Sequence, residues 1–180
     1  MRELSLHILD ITQNSIVAEA KTITIEVSEN RAGDVITISV ADDGKGMDEE
    51  TVSKVVDPFY TTRTTRKVGL GIPMLKINAI LCNGDFSLES TPGVGTTIAA
   101  SYQFSHIDRP PLGDMVSTML TILLGHEEID FIYKHLVDDR EFAFASSEIK
   151  EVLDGLSFQT PDVYEWLKNF LTEGEGELEL

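Results

Sequence analysis

The chain has 180 residues, 42% hydrophobic and 25% charged, enough for one packed domain with or without an appendage. Its formal net charge of −17 repels polyphosphate backbones and anionic lipids, which argues against nucleic-acid and membrane partners. A lone cysteine, Cys82, excludes an internal disulfide and any multi-cysteine metal site. The longest nearly uninterrupted apolar run, "MVSTMLTILL", has ten residues, too few to cross a bilayer. The first residues lack the apolar block and small-residue cleavage site of a secretory leader, so a cytoplasmic location is expected.

In chain order, Leu4, Ile8, Ile11, Ser15 and Ala18 follow helical spacing and predict a helix over residues 4–20 with an inward stripe. "TITIEVS" and "VITISVA" alternate with period two around the turn "ENRAGD", which predicts an antiparallel pair. Asp48 as N-cap with two acids after it predicts a short helix over 49–56, ending at Asp57-Pro58. A further helix is predicted from Gly71 to Leu81, with Pro73 in its first turn and Asn83-Gly84 beyond its end. "DFSLES" and "TTIAASYQF", joined through "TPGVG", read as two more strands.

Residues 106–180 hold 5 basic and 17 acidic side chains, against 9 and 14 in residues 1–105. This second part reads as an appended α+β extension. It comprises a helix ending at Gly125, a hairpin around Asp138-Asp139 with Phe142 and Phe144 on one face, and a last helix with Thr160 as N-cap and Pro161 at its first position. Trp166 and Phe170 fall one turn apart on that last helix. "TEGEGELEL", about residues 173–180, reads as an acidic disordered tail. The expected organisation is therefore 1–105, 106–172 and 173–180, with the extension either covering the sheet or docking a basic partner. His7, His106, His126 and His135 show no metal-ligand spacing.

The connections carry the chemistry. "VADDGKGM" places Asp42, Gly44 and Gly46 as D-x-G-x-G directly after a strand, where glycines allow a sharp turn and close approach to a flat ligand; alone, it is equally an ordinary turn. "KVGLGIPMLK" places Gly69, Leu70 and Gly71 at a helix start, where free N–H groups favour phosphate, though a tight loop without a ligand has the same look. "TTRTTRK" sets Arg63, Arg66 and Lys67 between these loops, either as a solvated basic face or as polyphosphate contacts.

Taken in order, an acid and Asn on the first helix, D-x-G-x-G, a Pro-Phe loop, a glycine pair entering a helix and "GVGTT" before a strand resemble the GHKL superfamily. That group holds the ATPases and kinases of DNA gyrase, the heat-shock 90 chaperones, sensor histidine kinases and MutL. The resemblance spans residues 4–104. It implies a Bergerat α/β two-layer sandwich, a mixed, mostly antiparallel sheet with helices on one face, and binding of ATP with Mg²⁺.

By the same resemblance, Asn14 binds the Mg²⁺ that bridges the triphosphate, and Asp42 accepts from the adenine amine. Gly44 and Gly46 make room for the base, Met47 walls it, and Thr96 or Thr97 supports it. "DPFYTTR" resembles the start of a kinase lid, with Phe59 as anchor and Thr61, Thr62 and Arg63 near phosphate. Gly69 and Gly71, with Leu70 between them, match the later glycines of a glycine box whose first glycine is replaced here by Lys67. Asp10 stands where other members carry a general-base Glu or an Asn, and a carboxylate there suits hydrolysis or transfer to a protein hydroxyl. The implied function is ATP hydrolysis or phosphorylation of a separate protein, for which the anti-sigma-factor kinases of the superfamily, acting on Ser or Thr, are one pattern. A non-catalytic nucleotide-sensing module is the alternative.

Overall fold

A computed structural model describes residues 3–59 and 70–180. The elements follow as α1 (Leu4–Val17), β1 (Thr22–Asn30), β2 (Val35–Asp42), α2 (Glu49–Val55), α3 (Gly71–Leu81), β3 (Phe86–Thr91), β4 (Gly95–Gln103), α4 (Met115–Gly125), β5 (Asp130–Val137), β6 (Arg140–Ala145), α5 (Ser146–Val152) and α6 (Pro161–Leu178). The strands form one six-stranded sheet in the order β3-β4-β2-β1-β5-β6. Every pairing is antiparallel except β1 with β5, which run parallel from Thr22↔Asp130 to Glu29↔Val137.

Strand alternation decides the layers. Ile23, Ile25 and Val27 of β1, Ile36, Ile38 and Val40 of β2, and Phe131 and Tyr133 of β5 are buried, while Thr24, Glu26, Thr37 and Ser39 between them are only half-buried. The inward rows meet a helical layer in which α1 packs on β2, α3 on β3 and β4, and α6 on β5 and β6. That layer is continuous through the α1–α3, α1–α4 and α4–α6 contacts. The expected mixed two-layer sandwich is the fold observed.

Three expectations change. α1 stops at Val17 rather than near residue 20, because Glu19 takes a left-handed turn with φ of 61° before β1 begins. The extension does not sit apart: β5 hydrogen-bonds along β1, α4 packs on α1, and α5, absent from the sequence reading, follows β6. The tail is not disordered either, since α6 continues to Leu178. Val163, Leu167, Leu171, Gly174 and Leu178 continue one buried stripe through the glycine- and glutamate-rich text. At Gly174 the ring of Phe142 lies so close that no Cβ would fit.

That last stretch also closes a buried charge cluster. Glu175 accepts from the Tyr133 hydroxyl at 2.6 Å and lies 2.7 Å from His135 Nδ1. Glu29 lies 3.1 Å from His135 Nε2, and Arg31 is 3.7 Å from Glu29 on the solvent side. Burial alone would lower the His135 pKa, but hydrogen bonds to Glu175 and Glu29, with their charges, carry it from 6.5 up to about 9. The hydrogen bond from His135 holds Glu29 below its ordinary 4.5.

A His whose folded pKa is raised stabilises fully below its unfolded value and loses that contribution as pH climbs through the folded one. Urea midpoints should therefore fall between pH 6.5 and 9, by a few kcal/mol of unfolding free energy, and fall again on acidification through the range below 4.5 as Glu29 protonates. His135→Gln should flatten the alkaline arm; an equally steep arm in that variant would show that another group titrates. Because the extension supplies β5 beside β1 and α4 beside α1, a chain ending at residue 105 should aggregate, and a soluble, cooperatively unfolding fragment would contradict that role.

Candidate functional site

At the end of the sheet where β2 finishes, a cavity of about 490 Å³ opens between α1, α2, the start of α3 and the ends of β2 and β4, a volume suited to a nucleotide-sized ligand. Its floor is Val40 and Ile98, which lie opposite each other on β2 and β4. Asp42 and Thr96 form the next opposed pair. The two-residue period puts all four on the face toward α1 and sends Ala41 and Thr97 to the opposite face. Of the two threonines expected as alternatives, only Thr96 lines the cavity. Thr97 is exposed on the other side of the sheet.

Asp42 is held at both oxygens: Ser15 Oγ donates to Oδ2 at 2.5 Å and the Gly44 N–H donates to Oδ1 at 2.9 Å. Each carboxylate oxygen accepts more than one hydrogen bond, so a fixed acceptor still faces the cavity. Ser15 escaped the sequence reading, which took it as part of the apolar stripe of α1. A hydroxyl on a stripe that is otherwise aliphatic was the available signal.

The loop after Asp42 is pinned by main-chain bonds. Asp43 accepts from the N–H groups of Lys21 and Thr22 at 2.8 and 3.0 Å, and the Thr22 bond leads in keeping its carboxyl below the usual range. The Lys45 N–H donates to Ala18 and its carbonyl accepts from Gly93. Gly44 is buried behind Asp42 rather than lining the cavity, and Gly46 has a φ of 67° with the Thr91 carbonyl where a Cβ would go. Met47 donates its N–H to Ser90 Oγ, which also meets Thr96 Oγ1 at 2.8 Å. Met47 and Thr96 thus share one wall.

Across the cavity, Asp10 and Asn14 stand one turn apart on α1 and both line it. Gly71, the first residue of α3, lies against the Asp10 carboxylate, which a Cβ there would displace. Desolvation by such neighbours raises the Asp10 pKa, although its outer edge remains solvent-accessible. Lys45, Thr51 and Lys54 also line the cavity and were not anticipated; Lys54 pairs with Glu50 at 2.6 Å.

Asp10, Asn14, Asp42, Gly46, Met47, Gly71 and Thr96 thus converge on one cavity. Phe59, expected as a lid anchor, is 91% exposed, and Leu70 precedes α3 at 58% exposure; neither lines the cavity. Thr61, Thr62, Arg63, Lys67 and Gly69 lie outside the described residues.

Gly46→Ala should cost roughly 1–3 kcal/mol or more, from the left-handed backbone and the collision with Thr91. Urea denaturation measures it, and an unchanged midpoint would mean that the loop relaxes freely.

The chain matches, over residues 2–106, the family described as histidine kinase-, DNA gyrase B- and HSP90-like ATPase. It is 30% identical over 119 residues to the non-motile and phage-resistance protein of Caulobacter vibrioides, covering 61% of this chain and 14% of that protein. Against the sensor protein kinase FleS of Pseudomonas aeruginosa it is 36% identical over 89 residues, covering 49% and 22%. Against sporulation kinase C of Bacillus subtilis it is 31% identical over 88 residues, covering 49% and 20%. The chain thus spans less than a quarter of the length of these relatives. The Aquifex aeolicus MutL ATPase domain complexed with ADP superposes with a TM-score of 0.53 at 17% identity, over 86% of this chain and 68% of that one, which shows a shared fold. With the family match covering more than half of its length, the chain belongs to the histidine kinase-, DNA gyrase B- and HSP90-like ATPase family.

Proposed function

We propose that this chain binds ATP with Mg²⁺ in the α1/β2 cavity and, through Asp10, hydrolyses it or transfers its terminal phosphoryl group to a hydroxyl of a separate protein. The observation that carries this reading is Asp42, locked by Ser15 and Gly44 above the apolar floor of Val40 and Ile98. A flat base fits over the aliphatic floor, and its exocyclic amine meets an acceptor that needs no reorganisation. Gly46 and Gly95 sit where backbone crowds any side chain, which keeps the base side of the cavity narrow.

Among the described residues no group of three or more His, Cys, Asp or Glu could hold a metal. That suits Mg²⁺, which takes few protein ligands and completes its shell with phosphate oxygens and water. Asn14 would hold it through the amide oxygen, and the bound ion would neutralise phosphate charge. Asp10, one turn away, would take the proton from the attacking water or hydroxyl, and its raised pKa makes it the stronger acceptor. Thr61, Thr62, Arg63, Lys67 and Gly69 would lie toward the phosphates. Dependence on ATP supports a cytoplasmic site of action, and the charge of −17 favours a protein partner over nucleic acid or membrane.

The sensing alternative shares the binding half of this reading and omits Asp10 chemistry. Asp42→Asn should weaken ATP by about tenfold or more in calorimetry, the scale of a hydrogen bond to a charged group. Asp10→Asn should keep affinity and lower turnover by about 10² to 10⁴. Wild type that binds no Mg·ATP sinks the proposal; binding with neither hydrolysis by the chain alone nor labelling of any protein in a cell extract selects the sensor.

A further inference from the structure

At the far edge of the sheet from β3, β6 pairs with β5 on one side and, among the described residues, with no strand on the other. An edge strand of this kind presents alternate N–H and C=O groups outward, unpaired. Natural edges are commonly blunted by proline, bulges or lysine, and none of these interrupts "REFAFA".

α6 instead covers the sheet face beside this edge. Phe170 packs on Phe142 and Phe144 of β6, with ring centroids 5.4 and 5.6 Å away, and Trp166 stacks on Phe170 at 5.3 Å and 7°. Trp166 remains 45% exposed. Trp166, Phe170, Glu173 and Glu177 follow i, i+4, i+7 and i+11 on one flank of α6, so two exposed carboxylates continue the aromatic row. Glu141 lies on the opposite face of the strand, out of phase with Phe142 and Phe144. The opposite flank of α6 is committed inward, through Glu175, to Tyr133 and His135.

We propose that this edge of β6 docks an extended segment of a partner protein that carries an apolar side chain and, two residues along on the same face, a basic one. Main-chain hydrogen bonds to β6 would add it as a seventh strand, an apolar side chain would meet Trp166, and a Lys or Arg two residues along would meet Glu173 or Glu177. Charge selects this occupant over a second copy: residues 106–180 carry 17 acidic against 5 basic side chains, so two such edges repel each other. The inference is independent of the nucleotide site.

Trp166 is the sole tryptophan and reports directly on occupancy. The full chain, without nucleotide, is titrated with eight-residue peptides that place Val, Leu or Phe and, two residues along on the same face, Lys or Arg, followed by Trp fluorescence and by amide hydrogen exchange. A blue shift is expected, with slowed exchange in β6 and affinity falling about tenfold or more at high salt. Glu-for-Lys peptides should not bind, and Trp166→Ala, read by calorimetry, should weaken binding by about tenfold. No binding by any basic peptide, protection located away from β6 and α6, or a β6-paired dimer in sedimentation would overturn the proposal.

Discussion

Everything in the molecule hangs on β1. It is the strand shared by both parts of the chain, antiparallel to β2 on one side and parallel to β5 on the other. Its inward row of Ile23, Ile25 and Val27 is buried beneath the helical layer, and such aliphatic burial supplies the main driving term for folding. At one end, Ile23 pairs with Asp42 and so fixes the acceptor at the cavity floor. At the other, Glu29 pairs alongside Val137 and reaches His135. The parallel partner has to come from distant sequence, because a parallel pair cannot be closed by a hairpin. The chain after residue 106 meets that requirement.

Two buried histidines show how partners decide charge. His7, on α1, is buried with only a 3.5 Å approach to Asn78 Nδ2, and its Nδ1 has no partner among the described residues. Burial pushes its pKa down to about 4, so it is neutral core. His135 is as buried but sits between two carboxylates, and it keeps its proton. A buried ion pair offsets its desolvation only when its hydrogen bonds are complete. Here β1, β5 and α6 each supply a member, which makes the cluster a three-way register pin as well as a stabilising contact.

The first hundred residues were largely legible in the sequence, because their signals are local: period-two strands, Asp48 as a cap that accepts from Thr51, and a helix from Gly71 to Leu81. The converging residues of the site could be named from motif order. Thr97 was separable from Thr96 only once the register with β2 fixed the pleat. The extension was legible as elements but not as architecture, since nothing local in "IDFIYKHL" states that its partner lies a hundred residues earlier. The tail was misread because composition concealed position. Gly174 is there to admit Phe142, and Glu175 is there to hold His135.

The boundary of the family match at residue 106 is therefore not a boundary in the physics. The first N–H groups of a helix have no intrahelical acceptor and must find one elsewhere. In α1, Glu3 at the N-cap makes no side-chain cap, and the N–H groups of Leu4 and Ser5 donate instead to the carbonyls of Pro111 and Leu112 at 2.9 and 2.8 Å. The helix that carries Asp10 and Asn14 is thus capped by chain outside the matched region and flanked by α4 from the same extension. Its axial position, and with it the placement of Asp10 against Gly71, is set partly by residues outside the matched region. The extension therefore holds the helix of Asp10 and Asn14 by two hydrogen bonds and one packed helix pair, and the strand beside Asp42 by the β1–β5 ladder.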